Sequence, residues 1–109
     1  MKKILITLIV SLFLAGIAQA EVPAMPEDVL KAAQAGDTEA QVEMGILYEY
    51  GYHMKDNKIS ALAWYMKAAE RGNARATVYR DRLMKKLTPA EVDRARDLAA
   101  TLKIAAPAN

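Results

Sequence analysis

The sequence predicts an all-α chain, a short α/α solenoid of about five antiparallel helices. Three observations predict it. Beyond residue 20, Ala is abundant and runs of β-branched residues are absent. Apolar residues recur at spacings of three and four, the period of a helix with one face turned inward. The stretch KAAQAGDTEA, from Lys31, returns as KAAERGNARA from Lys67, 36 residues on. A fixed period in helical sequence marks stacked helix pairs, each covering the apolar face that its neighbour leaves open.

Residues 1–20 precede this pattern and read as a cleaved export signal. Met1-Lys2-Lys3 is a basic start, and Ile4 to Ile17 is apolar apart from Thr7, Ser11 and Gly16. Ala18-Gln19-Ala20 then supplies the small residues that a signal peptidase reads. A membrane anchor is the alternative, but spanning a bilayer takes about 20 apolar residues, more than this run holds. No Cys follows, so a lipid anchor has no attachment point. Residues 21–109 then form one small domain, periplasmic or secreted. It has no disulfide to support it and no thiolate for a metal.

The first helix is expected over 26–35, with Pro26 in its first turn and Gly36 after its end. The second is expected over 37–50, with Ala40, Met44, Leu47 and Tyr48 on one face and Gly51 as its stop. The loop GYHMKDN follows, and Asn57 is the expected N-cap of a third helix over 58–71. Ile59, Leu62, Met66 and Ala69 form its stripe, which Ala61, Trp64, Tyr65 and Ala68 widen. Gly72 ends it, and a fourth helix runs over 73–87. In LTPAEV, Thr88 is an N-cap, Pro89 the first helical residue and Glu91 the reciprocal partner of a capping box. The fifth helix runs to about Lys103 and caps the stack with Val92, Ala95, Ala99 and Leu102; the closing APAN is expected to fray. Gly45 sits mid-helix, where it costs roughly 0.5–1 kcal/mol against Ala. That cost predicts another helix backbone passing close by.

The stretches AQVEMGILYEYG (Ala40–Gly51) and SALAWYMKAAERGNARA (Ser60–Ala76) closely resemble the Sel-one-like repeat (SLR), a relative of the tetratricopeptide repeat. The matching residues are Ala40, Met44-Gly45, Tyr48 and Gly51, then Ala61-Leu62, Trp64-Tyr65, Lys67-Ala68-Ala69 and Gly72. The resemblance covers one full repeat, about residues 38–73. Residues 26–37 are similar to the tail of a preceding repeat, and 74–103 to a degenerate closing unit. Arg80-Asp81 stands where the apolar-Gly pair would be, His53 where a second loop Gly is usual, and Asn57 where Asp is common. The resemblance implies an α/α solenoid that acts as an interaction scaffold without catalysis.

The chemistry-bearing residues are few. His53 and Asp56 could begin a metal site, but one His and no Cys is thin support, and a solvated loop is the simpler reading. A Ser-His-Asp arrangement would need Ser60 to face His53 across a helix start. Trp64, Tyr65 and Tyr48 could form an aromatic cage, but they coincide with the packing positions of the repeat. No phosphate loop or dinucleotide fingerprint is present. No catalytic residue, metal ligand or cofactor is therefore assigned.

The charges are divided along the chain. Residues 21–56 carry eight acids and two bases; residues 57–109 carry eleven bases and five acids. This is a dipolar molecule rather than a basic one, which argues against nucleic acid as a partner. In the related tetratricopeptide pattern, the first helix of each pair lines a concave face. Projected onto the second helix, that face holds Glu39, Val42, Ile46, Glu49 and Tyr50. On the fourth it holds Arg75, Val78, Arg82 and Lys86. The expectation is a groove with an acidic, apolar wall and a basic one, binding a protein or peptide. The alternative is that these charges only face solvent or pair across the groove. The expected partner is another protein or a second copy of the chain, with no stable membrane anchor after cleavage. An inhibitor or immunity-type protein acting on a secreted or periplasmic enzyme is the nearest alternative. An envelope-acting enzyme, which would need His53, is the alternative of another class.

Overall fold

The structure, a computed structural model, describes residues 26–51 and 56–106. The export signal read in residues 1–20 lies outside the described residues, as do His53 and the last three residues of the expected frayed end. The described chain is all-helical: α1 (Glu27–Gln34), α2 (Thr38–Ile46) with a π-helical turn (Leu47–Gly51), α3 (Asn57–Glu70), α4 (Ala74–Met84) and α5 (Pro89–Thr101). Helix α3 is the centre, packed by α2, α4 and α5, and α1 packs on α2.

The echo at Lys31 and Lys67 is a repeated piece of stereochemistry. Helix α1 ends with Gly36 at φ +107° and α3 with Gly72 at φ +87°, a backbone region open to glycine at no steric cost. In both turns the Gly N–H returns to the carbonyl three residues back, Ala33 or Ala69. The next N–H returns five residues back, from Asp37 to Ala32 and from Asn73 to Ala68. These are Schellman closures. The residue after each Gly then caps the next helix: Asp37 accepts from the amides of Glu39 and Ala40, and Asn73 from that of Ala76.

The start of α3 differs from expectation. Asp56 occupies the cap position at φ 62° without a side-chain cap bond, and Asn57 is the first helical residue. The Asn57 side chain instead donates to the Tyr48 carbonyl at 2.9 Å, tying α3 to the π-helical turn. Helix α5 opens with the expected box: Thr88 Oγ1 accepts from the Glu91 amide, and Glu91 Oε1 accepts from the Thr88 amide.

The main core joins Val42, Ile59, Leu62, Tyr65, Leu83, Val92 and Ala95; a second cluster joins Ala33, Ala40, Met44 and Trp64. Gly45 makes room for a ring rather than a backbone. A Cβ at Gly45 would lie 2.9 Å from Tyr65 Cζ and closer still to its Cδ1 and Cε1. Helix α5 buries Val92, Ala95 and Ala99 against α3, as a covering helix should. It ends at Thr101, before the expected Lys103, and residues 102–106 follow without regular secondary structure. Leu102 and Ile104 pack on the second cluster beside Val29 and Leu30.

Candidate functional site: the face of α2 and α4

Helices α2 and α4 are equivalent in the repeat, so their outward residues fall in register one unit apart. Glu39, in the first turn of α2, pairs with Arg75, in the first turn of α4. Asn73 adds a second link from the same turn, donating to Glu39 Oε1 at 2.7 Å and to Thr38 Oγ1 at 3.1 Å.

Farther along the face, Glu49 turns inward from the π-helical turn. Its carboxylate accepts from the Tyr65 hydroxyl at 2.8 Å, and Arg82 approaches to 3.7 Å. Arg82 also donates to the Tyr50 hydroxyl at 3.2 Å. Its guanidinium stands 4.8 Å from the centre of the Tyr79 ring, and that of Arg75 stands 5.7 Å from it. The Tyr79 ring also leans against Tyr65, with centroids 5.6 Å apart. Burial, helped by the Glu49 carboxylate, pushes the Tyr65 hydroxyl well above the usual phenol range. The Tyr50 hydroxyl is raised by desolvation and by Glu49, while Arg82 pulls the other way. Contact with Tyr79 and Glu39 holds the Arg75 guanidinium above its ordinary value.

Among the nine residues expected to line the groove, the structure brings Glu39, Glu49, Tyr50, Arg75 and Arg82 into one network. Val42 does not belong to a groove wall: it is fully buried in the main core. Ile46 is half-buried and packs on that core, and Glu49 is interior. The physical reason is that α2 lies between α1 and α3 and is buried on two sides. Gln41, Val42, Met44 and Gly45 are all covered, where a one-sided helix would leave some of them open. Val78 and Lys86 are exposed on or just beyond α4, without a place in the network. Tyr50 and Val78 are 58% and 62% exposed.

Sequence reasoning missed Tyr65 as a hydroxyl donor, and it missed Tyr79 and Asn73 altogether. Tyr79 had a signal. Arg75, Tyr79 and Arg82 stand at i, i+4 and i+7, which places both guanidinium groups beside one ring on a helix. Asn73 had one as well, because the equivalent position holds Asp37 and only the amide can both cap a helix and donate.

A cleft of about 490 Å³ opens elsewhere, between α3, α4 and α5. Met66 and Met84 line it together with Lys67, Arg80 and Arg96, each of which is already paired with a nearby carboxylate. Among the described residues, no group of three His, Asp or Glu side chains converges as a metal site would. No helix among them is long and apolar enough to cross a membrane. The α2–α4 face carries aromatic rings, paired charges and, at Tyr50 and Val78, exposed apolar side chains. No family model, curated protein or solved structure matches the chain.

Proposed function

We propose that this chain is a non-catalytic, exported interaction module of Sel-one-like repeat type that binds a protein or peptide across the α2–α4 face. The observation that supports it most is the composition of that face. Tyr50 and Val78 are the large hydrophobic side chains exposed among the described residues; Tyr50 bonds Arg82 through its hydroxyl, and Val78 precedes Arg82 by one turn of α4. Tyr and Arg are the residue types that dominate binding energy at interfaces, and here they are pre-positioned by Glu49 and Tyr79. The resemblance read in Ala40–Gly51 and Ser60–Ala76 supports the same reading, and the signal-like residues 1–20 support export.

Capture from an envelope extract tests it, with wild type beside a Tyr50→Ala, Val78→Asp double variant. Both side chains are exposed, so the double variant should stay folded, with a melting temperature lowered only slightly by the loss of the Tyr50–Arg82 bond. A partner retained by wild type and lost by the double variant is the expected result. Identical captured sets would remove this face from consideration. The mass of the native protein tests export: the expected chain begins at Glu21.

A further inference from the structure

Helix α5 ends at Thr101 without a glycine; Leu102 takes an extended backbone, and the chain continues without regular structure to reach the end of α1 at Gln34. Along this stretch Leu102 and Ile104 turn inward while Lys103 and Ala105 are exposed, so apolar side chains two residues apart share one side, the spacing that an extended segment provides. The two inward side chains pack beside Val29, Leu30 and Ala33. The main chain is held at Ala105 from both sides. Its N–H donates to the Gln34 carbonyl at 2.7 Å, and its carbonyl accepts from Arg71 Nη2 at 2.5 Å. Gln34 is the last residue of α1, so its carbonyl is one that the helix cannot itself satisfy. The other guanidinium nitrogen of Arg71 reaches the Gly36 carbonyl at 3.4 Å, which steadies the fork.

We propose that the end of α1 together with Arg71 is a binding site for a short extended peptide, filled here by the chain's own residues 102–105. The hydrogen bonds go to main chain, so they do not read side-chain identity. Two alternate apolar side chains supply the selection. The ligand class is therefore an extended segment with apolar residues two apart, followed by a residue with a free amide N–H. The site lies at the end of α1 and the α3–α4 turn. It does not rest on the reading of the α2–α4 face. The strap is held by two main-chain bonds and two side chains, a hold small enough to open locally without unfolding the helices. A competing segment from another protein would enter by displacing it.

The test uses the full chain carrying Ile104→Asp, which releases the strap, and a labelled synthetic peptide, LKIAAPAN, with the sequence of residues 102–109. Fluorescence anisotropy should show binding to the released chain at least about tenfold tighter than to wild type, whose site is filled. A peptide with Asp in place of Ile should not bind. Adding Arg71→Ala to the released chain should weaken binding about fivefold or more. If Ile104→Asp lowers helix content, Ala105→Pro releases the strap by removing its N–H donor, and the same comparison applies. Equal affinity of wild type and released chain, or no binding by a folded released chain, would overturn the proposal and leave the strap as a structural cover alone.

Discussion

The Tyr65 side chain meets two demands at once. Its ring fills the space above Gly45, and its hydroxyl donates to Glu49, whose side chain is only 3% exposed. Tyr65→Phe keeps the ring and removes the donor, leaving that carboxylate with Arg82 at 3.7 Å and with the Tyr50 hydroxyl. A hydrogen bond to a charged group contributes about 1.5–3 kcal/mol, and denaturant unfolding should show a loss of that order. The same hydroxyl predicts an alkaline response. Its proton is held more tightly in the folded chain than in the unfolded one, where tyrosine titrates near pH 10. Stability is therefore complete below about pH 10 and declines as pH rises beyond it. Melts across that range should slope downward in wild type and less steeply in Tyr65→Phe. At Gly45, a larger side chain gains helix propensity of about 1 kcal/mol but must displace the ring. Gly45→Leu is expected to lose more than ~2 kcal/mol by the same measurement, and an unchanged midpoint would show that the ring moves freely.

At the level of helices and turns, most ends were legible, because caps are decided by a few adjacent residues; the start of α3, where Asp56 rather than Asn57 holds the cap position, was not. Thr88, Pro89 and Glu91 mark the start of α5 as expected, and Gly36 and Gly72 end α1 and α3. Burial was less legible. A single apolar stripe was read on α2, yet α2 has neighbours on two sides, and Val42 went to the core. Period alone tells that a helix is amphipathic; it does not tell how many partners it has. Glu49 was misplaced for a related reason. It lies in a π-helical turn, where the five-residue hydrogen-bond step changes which side chains face in. The turn between α3 and α4 carries its own prediction. Asn73→Asp keeps the cap to Ala76 but loses both donors and sets a carboxylate beside Glu39. The expected loss is about 1–2 kcal/mol, larger at low ionic strength, where like charges are least screened. Equal stability at low and high salt would show that Glu39 swings away.

Across the whole molecule, one helix holds the rest together. Because α3 is packed by α2, α4 and α5, removing α5 uncovers a side of the main core along with Val92 and Ala95. A chain ending at Leu87 should unfold without a cooperative transition, as followed by circular dichroism on heating. Ending the chain at Lys103 separates the strap from the helix. The sequence offered no reason to keep residues beyond the expected helix end, since an Ala-rich tail carries little local signal. The structure shows Ile104 packed and Ala105 bonded at both its N–H and its carbonyl. The Lys103 truncation should therefore melt cooperatively but lower, by about 4–8 °C for each kcal/mol lost in a domain of this size. A melting temperature identical to wild type would show that the strap adds nothing to the fold.

The fit of the Tyr65 ring over Gly45 has a consequence for inheritance. Positions 45, 49 and 65 form one unit: an absent side chain, a carboxylate, and a phenol that needs both. A descendant chain that places a side chain at 45 must shift the ring at 65 or replace it with a smaller one. Once that ring shrinks, the acid at 49 loses its donor and is selected toward an amide or an apolar residue. The three positions are separated in sequence but joined in space, so a change at one alters the cost of a change at the others. A lineage in which one of them drifts alone should carry a visible compensation at Arg82 or Tyr50, which also neighbour the carboxylate.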